Sequence, residues 1–230
     1  MLLTSKKKNY ANITILKEGK IIDNELDLKG LSMKKSNVNK NTGRTLQEIL
    51  EEKILKEPEI NIPSVLKDLE KLENEIRNTF ISGKTDYMTP TSAKNLESYK
   101  DFPTIAAVRA ALAWNAAYPN KPLVLPENFN MCKCKITSLE DIEDLKEVQP
   151  EIYKRLKNDI FDDERLSKYG ITYFAIPKTE PQIPEWLVPY IDIETIINDN
   201  IKVFNPILES LGLKILSNTE GDFYSNVLTL

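Results

Sequence analysis

Histidine is absent from all 230 residues of this chain. Its absence removes Ser-His-Asp and Cys-His nucleophilic catalysis, imidazole acid–base chemistry and every zinc site that uses a histidine. Cysteine is nearly absent too, Cys132 and Cys134 being the only two. Two thiols cannot build a four-sulfur metal site, and positions a single residue apart cannot staple a fold. Alternating with Lys133 and Lys135 ahead of Ile136, they read as one face of a strand. No run of about 18 or more apolar residues occurs, so no helix is expected to span a membrane. The start, Met1-Leu2-Leu3-Thr4-Ser5, lacks the apolar core of a signal peptide, and a cytosolic protein is expected.

What is present is ordinary in amount and uneven in distribution. A 41% hydrophobic, 29% charged chain of this length can bury a real core, as one large domain or two small ones. Residues 1–45 carry ten basic and four acidic side chains, a surplus of +6. The whole chain carries −4, so the rest carries −10. A basic end on an acidic body suits a polyanion partner. Lys6-Lys7-Lys8 leads straight into a strand pattern, which would fix ammonium groups at one place on a surface.

Ala11 to Leu16 and Ile21 to Leu28 alternate about Lys17-Glu18-Gly19-Lys20, which predicts a β-hairpin. A lone hairpin is barely stable in water, so this one needs a neighbouring sheet. Ser32 to Arg44 is polar and basic and reads as a loop. Leu46, Ile49, Leu50 and Ile54 follow helical spacing, as do Val65, Leu66, Leu69, Leu72, Ile76 and Phe80 after Ser64, with Pro58 and Pro63 separating the two helices. Ser82 to Pro103 is a second polar stretch. Ile105 to Ala117 is an alanine-rich helix, Met131 to Ile136 a strand, and Ser138 the cap of a short acidic helical region reaching about Lys168. Ile171 to Ile176 reads as a strand, and Asp192 to Leu211 as a helix bent near Pro206 and stopped by Gly212. The fold class is α+β, with most of the helix after residue 45.

The order of these pieces resembles the C-terminal end of a family B DNA polymerase, closest to the phage type. Lys7-Lys8-Asn9-Tyr10 is similar to the Lys-Lys-Arg-Tyr motif at the primer-template junction, with Asn9 in place of the arginine. The hairpin, Lys29-Gly30-Leu31 and Lys34-Lys35-Ser36 resemble the end of the palm. Thr91 to Tyr99 resembles a polar thumb segment. Val108-Arg109-Ala110-Ala111-Leu112-Ala113-Trp114-Asn115 resembles an Arg-Gly-x-x-x-Tyr-Asn helix, with Ala110 and Trp114 substituted. Ile176-Pro177, Tyr190-Ile191-Asp192 and Phe204 to Glu209 resemble the last thumb helix. Residues 137–168 read as an insertion without a counterpart.

The resemblance implies a hairpin segment at 1–35 that completes a palm sheet and a mainly helical thumb with a few short strands at 36–230. It implies DNA contacts from Lys7, Lys8, Asn9, Tyr10, Lys34, Lys35, Ser36, Lys40, Arg44, Ser92, Lys94, Asn95 and Arg109, all independent of base sequence. Arg109 has a second reading as a surface ion-pair residue, and Trp114 reads as core.

No Tyr-Gly-Asp-Thr-Asp-type turn is present, and polymerase chemistry needs two Mg²⁺ ions held by palm aspartates. Asp162-Asp163 and Glu51-Glu52 read as surface carboxylates, so no catalytic or metal-binding residue is assigned. Mg²⁺ is expected in a larger polypeptide that carries exonuclease, palm and fingers. With Met1 just before the lysine motif, the expectation is a split or truncated gene product working with that partner on primer-template DNA, in a phage-infected bacterial cytoplasm. The rival readings are a stand-alone nucleic-acid-binding protein and a structural protein without a polymerase partner.

Overall fold

The sequence's period-2 and period-3.6 segments become strands and helices in the order the α+β reading predicts. The structure is a computed structural model and describes residues 2–3, 10–17, 20–29, 33, 38–92, 103–124, 126–215 and 227–229. The chain divides into two compact units, Met1–Arg77 with Ile197–Leu230, and Asn78–Ile196.

In the first unit, β1 (Leu2–Leu3), β2 (Tyr10–Lys17) and β3 (Lys20–Lys29) form an antiparallel sheet in that order. Tyr10 lies opposite Lys29 and Lys17 opposite Lys20, with a register shift between Thr14 and Leu16. This is the predicted hairpin with one short strand added. Helix α1 (Lys40–Leu50) runs into a π-helical turn, Glu51–Leu55, closed by the Lys56 amide donating to the Glu51 carbonyl at 3.1 Å. Helix α2 (Ile62–Ile81) follows. Val65, Leu69, Leu72 and Ile76 fall on one stripe and are at most 1% exposed. Each contributes about 1.5–3 kcal/mol relative to an exposed side chain.

Two boundaries differ from the sequence reading. Lys40 to Arg44 are helical rather than loop, because the Asn39 side chain accepts from the Asn41 and Thr42 amides at 2.9 and 3.2 Å and starts α1 early. Asn caps a helix by substituting for the missing carbonyls of the turn before it. Pro63 lies not between the helices but within the first turn of α2, where its missing N–H costs no hydrogen bond, and Asn61 caps that end, accepting from the Ser64 amide at 3.0 Å.

In the second unit, β4 (Thr89–Ser92), β5 (Asn128–Ile136) and β6 (Ile171–Pro177) form an antiparallel sheet in that order. Helix α3 (Ala106–Ala117) packs on β6. Its buried alanines, Ala107, Ala110, Ala111 and Ala113 among them, let the helix lie close, while Trp114 fills the remaining space at 2% exposure. Cys132 and Cys134 are both buried on β5, as their alternation predicts. Burial raises the Cys132 thiol well above its ordinary pKa, with the neighbouring Cys134 thiol adding to it.

Residues 137–168 open on a capping box between Ser138 and Asp141 and continue as α4 (Leu145–Val148) and α5 (Pro150–Leu156). Helix α5 packs against α3. Gly170 turns the chain into β6 with φ +57°, and a Cβ there would lie 2.5 Å from the Ile136 carbonyl oxygen.

The helix expected over 192–211 is two helices, α6 (Ile193–Ile201) and α7 (Asn205–Ser210), with a 3₁₀ turn at Lys202–Phe204 between them. Pro206 sits in the first turn of α7, where proline is compatible with a helix. Gly212 follows with φ +78°, and β7 (Leu213–Ile215) pairs with β8 (Val227–Thr229). Among the described residues, no helix is long and apolar enough to cross a membrane.

Candidate nucleic-acid interface

Of the residues nominated for DNA contact, Lys7, Lys8, Asn9, Lys34, Lys35, Ser36, Lys94 and Asn95 lie outside the described residues. Tyr10 opens β2 and is half-buried. Its hydroxyl donates to Asp27 Oδ2 at 2.9 Å, diagonally across to β3. That hydrogen bond to the Asp27 carboxylate raises the phenol pKa. Tyr10 therefore ties the two hairpin strands together immediately after the lysine motif.

Met33 and Val38 bracket the Lys34-Lys35-Ser36-Asn37 segment, and both are buried, 3% and 7% exposed. Helix α1 then presents Lys40 and Arg44 outward, one turn apart on the same face. Neither forms an ion pair with a described carboxylate. Most described cations elsewhere do: Lys53 with Asp68, Lys56 with Glu51 and Glu52, Lys135 with Asp192, and Arg165 with Asp163. Unneutralised cations on a helix surface are the groups a phosphate backbone can recruit.

The other end of α1 has the opposite character. Glu48 and Glu52 join Asp68 and Glu75 of α2 around a groove of about 320 Å³, where Lys53 and Lys71 are the cations. Carboxylates there disfavour a polyanion. The helix is thus basic at its start, and acidic at its end and in the turn that follows.

In the second unit, Ser92 ends β4, exposed and paired in register with Asn128. Arg109 folds back on its own unit. Its Nη1 donates to the Pro103 and Thr104 carbonyls at 3.1 and 2.6 Å, and its guanidinium lies 4.2 Å from the centre of the Tyr169 ring. Its Nε is buried without a hydrogen-bond partner among the described residues. No ion pair of Arg109 with a described carboxylate accompanies these contacts, so the surface ion-pair reading does not describe its surroundings.

The rest of that helix motif has an equally local use. Trp114 Nε1 donates to the Lys121 carbonyl at 2.8 Å, and the Asn115 side chain brackets Leu123, accepting from its amide at 2.7 Å and donating to its carbonyl at 3.2 Å. Arg109 thus secures the chain entering α3, and Trp114 with Asn115 secures the chain leaving it.

The paired carboxylates are engaged with cations. Asp162 meets Lys157 at 2.6 Å, Asp163 meets Arg165 at 2.6 Å, and Glu51 and Glu52 share Lys56. Among the described residues no three metal-ligating side chains converge. These residues do not fit a two-Mg²⁺ polymerase centre, and no catalytic step is assigned to them.

Sequence reasoning missed Asn39, Thr42, Gly43 and Asn200, the residues that seat the basic end of α1. Only Asn39 carried a signal, as an asparagine just ahead of a helix.

The chain is α+β, with a basic N-terminal stretch and two cations on α1 that pair with no described carboxylate. It is a member of the divergent family B DNA polymerases, whose family model matches residues 1–226. No curated protein shows significant similarity to it. Its role is accordingly related to DNA polymerisation.

Proposed function

We propose that this chain is the palm-end and thumb portion of a family B DNA polymerase, with residues 1–35 completing a palm sheet and 36–230 forming the thumb. In this reading it grips primer-template duplex through phosphate contacts and completes an active site whose carboxylates, and their Mg²⁺ ions, come from polypeptide outside these 230 residues. The observation that carries it is the family match over 1–226, in a sequence with no Tyr-Gly-Asp-Thr-Asp-type turn. Support comes from the +6 surplus in residues 1–45 and from Lys40 and Arg44, which pair with no described carboxylate. Lys7, Lys8 and Asn9 stand at the primer-template junction beside Tyr10. Lys34, Lys35, Ser36, Lys40 and Arg44 meet duplex phosphates, as do Ser92, Lys94 and Asn95. Arg109 acts by shaping α3.

Purified alone, the chain should incorporate no nucleotide, and adding a polypeptide with the exonuclease, palm and fingers should restore primer extension. Extension by the isolated chain overturns the proposal. So does full activity of the larger polypeptide without it.

A further inference from the structure

The two ends of α1 are held in different ways. Leu46, Ile49 and Leu50 anchor the second half of the helix by apolar burial, all at most 6% exposed. The first half, which carries Lys40 and Arg44, has no large apolar side chain. On its inner side Thr42 is fully buried, and its hydroxyl donates to Asn200 Oδ1 of α6 at 3.0 Å, a bond spanning 158 residues. Asn200 is itself buried at 7% exposure. Thr42 lies two residues from each cation, so it points inward where they point out.

Apolar contacts are non-directional and tolerate sliding, whereas a buried hydrogen bond fixes distance and angle. A helix held by leucines at one end and a polar bond at the other is set in rotation as well as position. We infer that Asn200 is a positioning residue for DNA backbone contact, acting through Thr42 to hold Lys40 and Arg44 as a pair for neighbouring phosphates. The inference rests on the proposed DNA-gripping role and adds a second, distant element to it.

The test uses the full chain and a fluorescent primer-template duplex of mixed sequence, with binding measured across a salt series. In the otherwise unaltered chain, Arg44→Ala and Lys40→Ala should each flatten the log K against log salt slope by about 0.9, one phosphate contact. In a Thr42→Val background, isosteric but without the hydroxyl, the same substitutions should change the slope by less than half as much. Thr42→Ser, which keeps the hydroxyl, should restore the full change. Thermal unfolding identifies variants that remain folded, and Asn200→Ala replaces Thr42→Val should that one not fold. Equal effects of Arg44→Ala in both backgrounds would overturn the positioning role and leave the DNA reading standing. No effect of either cation in the unaltered chain would overturn the DNA reading at this helix and the inference with it.

Discussion

Gly43 of α1 lies against the Met33 backbone so closely that a Cβ on the glycine would stand 2.5 Å from the Met33 carbonyl oxygen. No real Cβ tolerates that separation, and the obstructing atom is backbone. The chain entering the Lys34-Lys35 segment and the helix that follows therefore touch without an intervening side chain.

This contact reverses the usual sign of a glycine substitution. Gly→Ala inside a helix ordinarily stabilises by about 1 kcal/mol through propensity. Here Gly43→Ala must displace either Met33 or α1, and a net loss on the order of 1–3 kcal/mol is expected, as for overpacking. Thermal or urea denaturation of the variant measures it. A gain in stability would mean that Met33 moves aside freely.

Much of the fold follows from local pattern, and the misses share one physical cause. The hairpin alternates about Gly19, and the α2 stripe repeats every three to four residues, so both are legible over short windows. The α1 start is not, because Asn39 to Gly43 is polar on every face and its helicity comes from a cap and from contacts with Met33 and Asn200. Strand β4 is hidden for a related reason. Thr89-Pro90-Thr91-Ser92 has no apolar alternation, and it is a strand because β5 offers it an edge, where proline is tolerated. Lys40 and Arg44 are legible in the sequence as cations. The buried bond between Thr42 and Asn200 is not, since the two lie 158 residues apart.

The Ser138–Asp141 box makes a pH-dependent contribution with a definite sign. Asp141 Oδ2 accepts from the Ser138 amide at 2.9 Å and from the hydroxyl and amide of Thr137 at 2.8 and 2.7 Å. These bonds, the Ser138 amide foremost, hold the carboxyl below its ordinary pKa. A depressed folded-state pKa gives stability that is fully present above the unfolded value, near about 3.9, and lost as pH falls through the lowered one. Asp141→Asn should therefore destabilise the protein at pH 7, and by less at pH 2. Urea midpoints at the two pH values decide it, and an equal loss at both would assign the effect to packing instead.

Arg109 separates a structural cation from a DNA-binding one. Removing its side chain frees the Pro103 and Thr104 carbonyls and ends the stacking on Tyr169. Hydrogen bonds from a charged group are worth about 1.5–3 kcal/mol each and the cation–π contact about 0.5–1 kcal/mol, with partial solvent exposure reducing both. Arg109→Ala should lower stability by roughly 1–3 kcal/mol and leave the salt dependence of DNA binding unchanged. Denaturation and a salt titration on the same preparation test both halves. A flattened salt slope with intact stability would return Arg109 to the phosphate-contacting set.

Lys8 and Lys40 carry different demands in the proposed reading. In the proposed reading Lys8 acts at the primer end, two residues before Tyr10, whose hydroxyl ties β2 to Asp27 of β3. In the same reading Lys40 meets a phosphate of the duplex. Misplacing reacting groups by about 1 Å can cost on the order of 10²-fold in rate, whereas a distant phosphate contact contributes to holding the duplex. In the reconstituted enzyme, Lys8→Ala should slow single-turnover extension far more than it weakens equilibrium binding. Lys40→Ala should weaken binding and leave the single-turnover rate at saturating DNA nearly unchanged. Tyr10→Phe, which removes the tie to Asp27 while keeping the ring, should resemble Lys8→Ala in kind and be milder in degree. If Lys8→Ala lowers rate and affinity no more than Lys40→Ala does, the first lysines are a solvated tail and the primer-junction assignment fails.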